Sequence, residues 1–154
     1  MTLELESSVK RVEVHGSLNG RLGVRGAILP WPDAGKKMDL RLVGSRNAGA
    51  ADKLFAAEPP VTGVAQVRHA GTKTALSFRV SPADVPYLGL WMNYGGWHED
   101  CNLAVEPATG YGDRLDEAVR LHRAMCVPAR QTAKWRVEVT LVRDGAPRVR
   151  PLDP

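Results

Sequence analysis

A chain of 154 residues with 44% hydrophobic and 25% charged side chains is about one domain, large enough to build a core without disulfides or a structural metal. No apolar run reaches the length needed to span a bilayer, which argues against a helical membrane protein. The net charge of +4 comes from scattered Lys and Arg, concentrated only in the short tail from Arg143 to Arg150 and not interleaved with aromatics, so it reads as a solvated basic surface and not as a nucleic-acid footprint.

The opening MTLELESSVK carries acidic residues and lacks the apolar block of a secretory signal, which predicts a cytoplasmic chain. Apolar and polar residues then alternate between clusters of Gly, Pro, Asn and Asp, the period of two that marks strands. This pattern predicts strands over Leu3–Glu6, Lys10–His15, Gly23–Leu29 and Met38–Val43. The prolines of Leu29–Lys37 and of Ala57–Pro60 would interrupt any central strand, so both segments read as loops.

Further strands are predicted over Thr62–His69, Thr74–Val80, Tyr87–Asn93 and Asn102–Glu106. From Asp113 the spacing changes: Leu115, Ala118, Val119 and Met125 recur at a helical period. Asp113 as N-cap, Asp116 and Glu117 in the first turn, and Arg120 and Arg123 near the end suit the helix dipole, and predict one short helix within 113–125. The last strand, Lys134–Val142, carries Trp135, Val137, Val139 and Leu141 on one face. Taken together, these elements predict an all-β chain, a single β domain over residues 1–154 with one short helix. Cys101 and Cys126 sit in no close-spaced motif and are expected to be reduced and partly buried.

Strand alternation also sorts the polar residues by face. In YLGLWMN, Leu88, Leu90 and Met92 take one side, while Tyr87, Trp91 and Asn93 take the other. In NLAVE, Leu103 and Val105 point inward and Asn102 and Glu106 outward; in KRVEVH, Val12 and Val14 point inward and Arg11, Glu13 and His15 outward. An indole beside amides and carboxylates is equipment for a sugar, with the ring on an apolar C–H face and polar groups on hydroxyls. The alternative, Trp91 as the core of a second packed sheet, stands equally at this point.

Several chemistries find no support. HEDCN at His98 lacks the second histidine of a zinc-protease helix, and no Walker loop or G-x-S-x-G motif occurs. No metal, nucleotide or other cofactor is expected.

The order of HGSL at His15, ILP at Ile28, MDLRLV at Met38, KLF at Lys53, VPYLGLWMNYGGW at Val85, LAVEPATGYGDRLDEA at Leu103 and W-x-V-x-V at Trp135 resembles the C-terminal half of aldose 1-epimerase proteins, the galactose mutarotase-like group. The most specific pieces are PYLGLW and EP-x-T-G. The resemblance implies a large twisted sandwich that binds an aldose on a concave sheet and interconverts its α and β anomers. It implies Glu106 as catalytic base, His15 as acid, and Asp39 as a ligand of sugar hydroxyls, with Trp91 and Asn93 shaping the sugar site. This chain departs from the pattern in writing His15-Gly16 for HP and Pro128-Ala129-Arg130 for PGE or PGG. The family domain is also longer, and its N-terminal portion, with another active-site histidine, has no counterpart here. Two expectations follow: a non-catalytic carbohydrate-binding β-sandwich or inactive truncated family member as the alternative function, and either self-association that covers an exposed sheet or a truncated reading frame.

Overall fold

The computed structural model describes residues 1–35 and 38–143; Lys36, Lys37 and the basic tail beyond Arg143 lie outside the described residues. The chain order is β1 (Thr2–Leu5), β2 (Arg11–Ser17), β3 (Ile28–Pro30), β4 (Ala50–Ala56), β5 (Val64–His69), β6 (Thr74–Val80), β7 (Tyr87–Tyr94), β8 (Cys101–Ala108), α1 (Leu115–Arg120) and β9 (Val137–Arg143). The strands form two antiparallel sheets, one of four strands in the order β1-β5-β6-β9 and one of five in the order β3-β2-β4-β7-β8. Among the described residues no helix is long and apolar enough to cross a membrane.

The alternating strands pack as their pattern requires. Across the five-stranded sheet, Val14, Leu54, Leu90 and Val105 stand in register on one face, and the first three are fully buried. Leu3 and Leu5 from β1, with Ala65 and Val67 from β5, close on that face from the other sheet. Full burial of such side chains stabilises by roughly 1.5–3 kcal/mol each, so this inter-sheet layer carries the fold. The four-stranded sheet is only partly covered. Its core-side row runs Leu3, Val67, Leu76, Leu141 from β1 to β9, and exposure rises from 0% at Leu3 to 72% at Leu141.

Several sequence expectations change. Gly23–Leu29 is strand only at its end, where β3 begins at Ile28 and runs on to Pro30, and the last strand begins at Val137, leaving Trp135 ahead of it. Met38–Val43 is not a strand: Leu42 and Asp39 make isolated bridges to Thr2 and Asp33, while Met38, Leu40 and Val43 pack as a loop onto the core cluster. The strand missing from the sequence reading is β4, AADKLFA, buried on both sides at the centre of its sheet. Such a strand has no polar face to alternate with, so period two is hidden. The helix is also shorter than 113–125. Arg114, not Asp113, stands at its N-cap and makes no side-chain cap bond. Cys101 and Cys126 are free and both are exposed, contrary to the expected partial burial.

One polar cluster lies inside the core. Asp52 is fully buried, where Ser17 Oγ and Arg21 Nε each donate to its carboxylate at 2.7 Å, and a second nitrogen of Arg21 also contacts it. A register shift between Val14 and Gly16 makes this possible, leaving His15 as the extra residue of a β-bulge and setting Ser17 opposite Asp52.

Candidate functional site

The outer face of the five-stranded sheet holds most of the ionisable groups singled out in the sequence. Glu13, Phe55, Gly89 and Glu106 stand in register across β2, β4, β7 and β8, and one step along the strands come Lys53, Trp91 and Ala104. Three inter-strand steps put the backbones of β2 and β8 about 14 Å apart. Phe55 fills that interval. Its ring centroid is 4.7 Å from that of His15, and a Cβ built on Gly89 would lie 3.0 Å from Phe55 Cζ and 3.2 Å from Glu106 Oε2. Glycine at 89 therefore lets the phenyl ring and the carboxylate lean together over the sheet.

Glu106 is ion-paired. Lys53 Nζ contacts its Oε2, and Asp113 Oδ1 lies 3.3 Å from the same ammonium. The residue expected to cap the helix thus serves a carboxylate–ammonium–carboxylate cluster instead. Lys53 Nζ also sits 5.5 Å from the Phe55 ring centroid, within cation–π range.

His15 has a different setting. Its side chain is 6% exposed, packed by Phe55 and by Tyr111, whose ring centroid is 5.2 Å away. Gly112 lies over the imidazole at φ +84, and a Cβ there would come within 2.8 Å of His15 Cε1, so the covering turn requires glycine on two counts. Neither ring nitrogen has a hydrogen-bond partner among the described residues; Glu13 Oε1 lies 3.5 Å from Nε2. Burial pushes the imidazole below its ordinary value, helped by the charge of Arg25 and opposed by Glu13, Asp113 and Glu117. The ring is therefore neutral at neutral pH.

Beside the imidazole opens a cleft of ≈ 300 Å³ lined by Glu13, His15, Arg25, Tyr111, Glu117 and Arg123. Tyr111 donates its hydroxyl to Glu13 Oε2 at 2.7 Å, Arg25 pairs with Glu117 at 2.5 Å, and the Arg123 guanidinium lies 4.5 Å from the Tyr111 ring centroid. Burial, together with the bond to Glu13 and its charge, raises the Tyr111 hydroxyl well above its ordinary value, so it stays protonated. Two cations and two carboxylates balance around an unpartnered imidazole, a setting that offers both donors and acceptors to a neutral polar ligand.

The remaining predicted residues fall elsewhere. Trp91 is half-buried on the same outer face and meets Trp97 edge-on at 6.4 Å between centroids. Asn93 is 1% exposed, and its amide is taken up locally: Nδ2 donates to the Trp97 carbonyl at 2.8 Å and Oδ1 accepts from the Trp97 N–H at 3.0 Å. It pins the turn between β7 and β8. Asp39 lies in the loop whose Met38 and Leu40 pack on the opposite, core face of the sheet. Hydrogen bonds from the Arg41 side chain and backbone hold its carboxyl below the usual range. The structure thus brings Glu106, His15 and Trp91 to one face and sets Asp39 apart from them.

Lys53 and Phe55 were hidden by the unrecognised β4. Glu13 shares strand parity with His15, a signal present in the sequence as the outward set Arg11, Glu13, His15. In comparisons with known proteins, the chain matches no family model, no curated protein and no solved structure.

Proposed function

We propose that the outer face of the five-stranded sheet binds an aldose and interconverts its anomers by acid–base ring opening. The observation that carries this reading is the placement of a carboxylate, Glu106, and an imidazole, His15, on one sheet face together with Trp91, Lys53 and the charge-balanced cleft beside His15.

In this reading Glu106 removes the proton from the anomeric hydroxyl as the C1–O5 bond breaks and the ring oxygen takes up a proton. Rotation about C1–C2 and reclosure reverse both transfers and give either anomer. Lys53 pairs with the Glu106 carboxylate until the sugar displaces it. His15 acts as the acid through its minor protonated form: the imidazolium gives its proton to the ring oxygen and regains one on reclosure, and Tyr111 and Glu13 fix the cleft around it. Trp91 covers an apolar sugar face, and Asn93 acts by holding the Trp97 turn. Asp39 takes no part.

Polarimetry of freshly dissolved α-glucose or α-galactose tests this directly. Glu106→Gln should slow the catalysed approach to equilibrium by about 100-fold or more, and a variant as fast as the parent removes the assignment.

One observation favours a second reading, a sugar-binding sandwich without catalysis. Phe55 stands between Glu106 and His15, and Lys53 already neutralises the carboxylate. Calorimetric binding of the sugar with no polarimetric turnover would select that reading.

A further inference from the structure

Ring opening makes a demand that proton transfer alone does not meet. As Glu106 takes the proton of the anomeric hydroxyl, negative charge gathers on that oxygen until the C1–O5 bond has broken and the oxygen is a carbonyl; reclosure gathers it there again. A cation fixed beside the carboxylate lowers both barriers, because it is already oriented toward the charge and need not reorganise.

Lys53 stands in that position. It projects from β4, the central strand of its sheet, in register with Trp91 of β7, so a sugar resting on that indole lies beside the ammonium. The side chain is 14% exposed. Its Nζ contacts Glu106 Oε2, lies 3.3 Å from Asp113 Oδ1 and sits 5.5 Å from the Phe55 ring centroid. An ammonium carries three donors, and among the described residues no other carboxylate lies within ion-pair distance of this one. Asp113 belongs to the turn after β8, the same turn that sets Gly112 over the His15 ring. When a sugar hydroxyl replaces Lys53 on Glu106, this second carboxylate still holds the ammonium in the site.

We propose that Lys53 is a catalytic residue, an electrostatic clamp on the anomeric oxygen, and that Asp113 is the residue that positions it. The assignment rests on the aldose reading of this face and adds no proton transfer to it. The O1–H proton goes to Glu106 and its bonding pair becomes the second bond of C1=O1; the C1–O5 pair stays on O5, which receives the proton of His15. Lys53 donates a hydrogen bond to O1 and keeps its own protons. The alternative is an inert counter-ion that blocks the base, and the two differ in sign: removing a blocking cation frees Glu106 and speeds turnover, whereas removing the clamp slows it.

Polarimetry of fresh α-glucose and α-galactose, with kcat and KM resolved separately, is the test. Lys53→Met should lower kcat by about 100-fold or more and leave KM within about threefold, the loss expected for one oxyanion donor. Because methionine leaves Glu106 and Asp113 facing each other, Lys53→Gln, which can still donate to both, is measured beside it, and both are melted against the parent. Asp113→Ala should lower kcat about tenfold through misplacement of the ammonium. The same exchange should change nothing in the Lys53→Met chain, a non-additivity that a simple loss of stability would not produce. In Lys53→Ala, added ethylammonium should restore part of the rate with saturation, and tetramethylammonium, which has no N–H, should not. A parent without turnover ends the aldose reading and the inference with it. A parent that turns over and is slowed by Glu106→Gln, but runs as fast or faster as Lys53→Met and Lys53→Gln, overturns the inference alone.

Discussion

Two rows of side chains invite comparison. Val14, Leu54, Leu90 and Val105 cross the five-stranded sheet; Leu3, Val67, Leu76 and Leu141 cross the four-stranded one. Each row is apolar from end to end. The first is buried through its central strands, whereas the second begins buried and finishes 72% exposed. Alternation along a strand settles which side a residue takes, but only the opposing layer settles whether that side is dry. The exposure of β9 is a property of the packing and not of the strand.

The sharpest way to break the comparison is to shorten one side chain in each row. Leu90→Ala should destabilise by about 2–5 kcal/mol in urea unfolding, because the surroundings of a fully buried leucine relax only in part. An equal loss from Leu141→Ala, measured in chain dilute enough to be monomeric, would erase the distinction. The buried row has a polar neighbour in Asp52, and Asp52→Ala should cost about 2–3 kcal/mol. That is less than the 3–5 kcal/mol of a wholly buried pair, since the Arg21 side chain left behind is 29% exposed and keeps some water.

A third measurement contrasts the sheets through their loops. Burial opposes the charge on Glu6, but hydrogen bonds from Ser8, Thr62 and Val64 outweigh it and hold the carboxyl at about 2. A depressed folded value means that this anchor of the turn before β5 contributes fully above the ordinary value near 4.5 and is lost as pH falls toward 2. The melting temperature of the parent should therefore exceed that of Glu6→Gln at neutral pH and converge with it between pH 4.5 and 2. A gap that stays constant through that window would remove Glu6 as the titrating anchor. The smallest effect is expected from Val139→Thr, within about 0.5 kcal/mol of the parent under monomeric conditions, as for other exposed positions.

These contrasts also mark what could be read from the sequence. β6 was legible to the residue because its apolar and polar faces differ, and β2, β5, β7 and β8 were displaced only at their ends. β4 was not legible, since Ala50, Ala51, Leu54, Phe55 and Ala56 are buried on both faces and nothing alternates. Losing β4 hid Lys53 and Phe55, the two side chains that separate Glu106 from His15. The strand proposed over Met38–Val43 failed for the opposite reason: its alternation belongs to a loop that lays Met38, Leu40 and Val43 on the core while Asp39 pairs with Arg41. The shared face of Glu106, Trp91 and His15 was legible from parity alone. The engagement of Asn93 with the Trp97 backbone was not, because it depends on a turn conformation that carries no periodic signal.

The unpaired residue in β2 ties the two faces of the sheet to a single count. Ahead of it even-numbered positions point inward; after it an odd-numbered position, Ser17, does so and reaches Asp52. Substituting position 15 alters one cleft, whereas deleting it would iron out the bulge with Val14, Gly16 and Ser17 still opposite Leu54, Lys53 and Asp52, removing the imidazole and leaving the hydroxyl on the buried aspartate. Loss of one codon here should therefore spare the sheet and its buried aspartate while costing the cleft its imidazole.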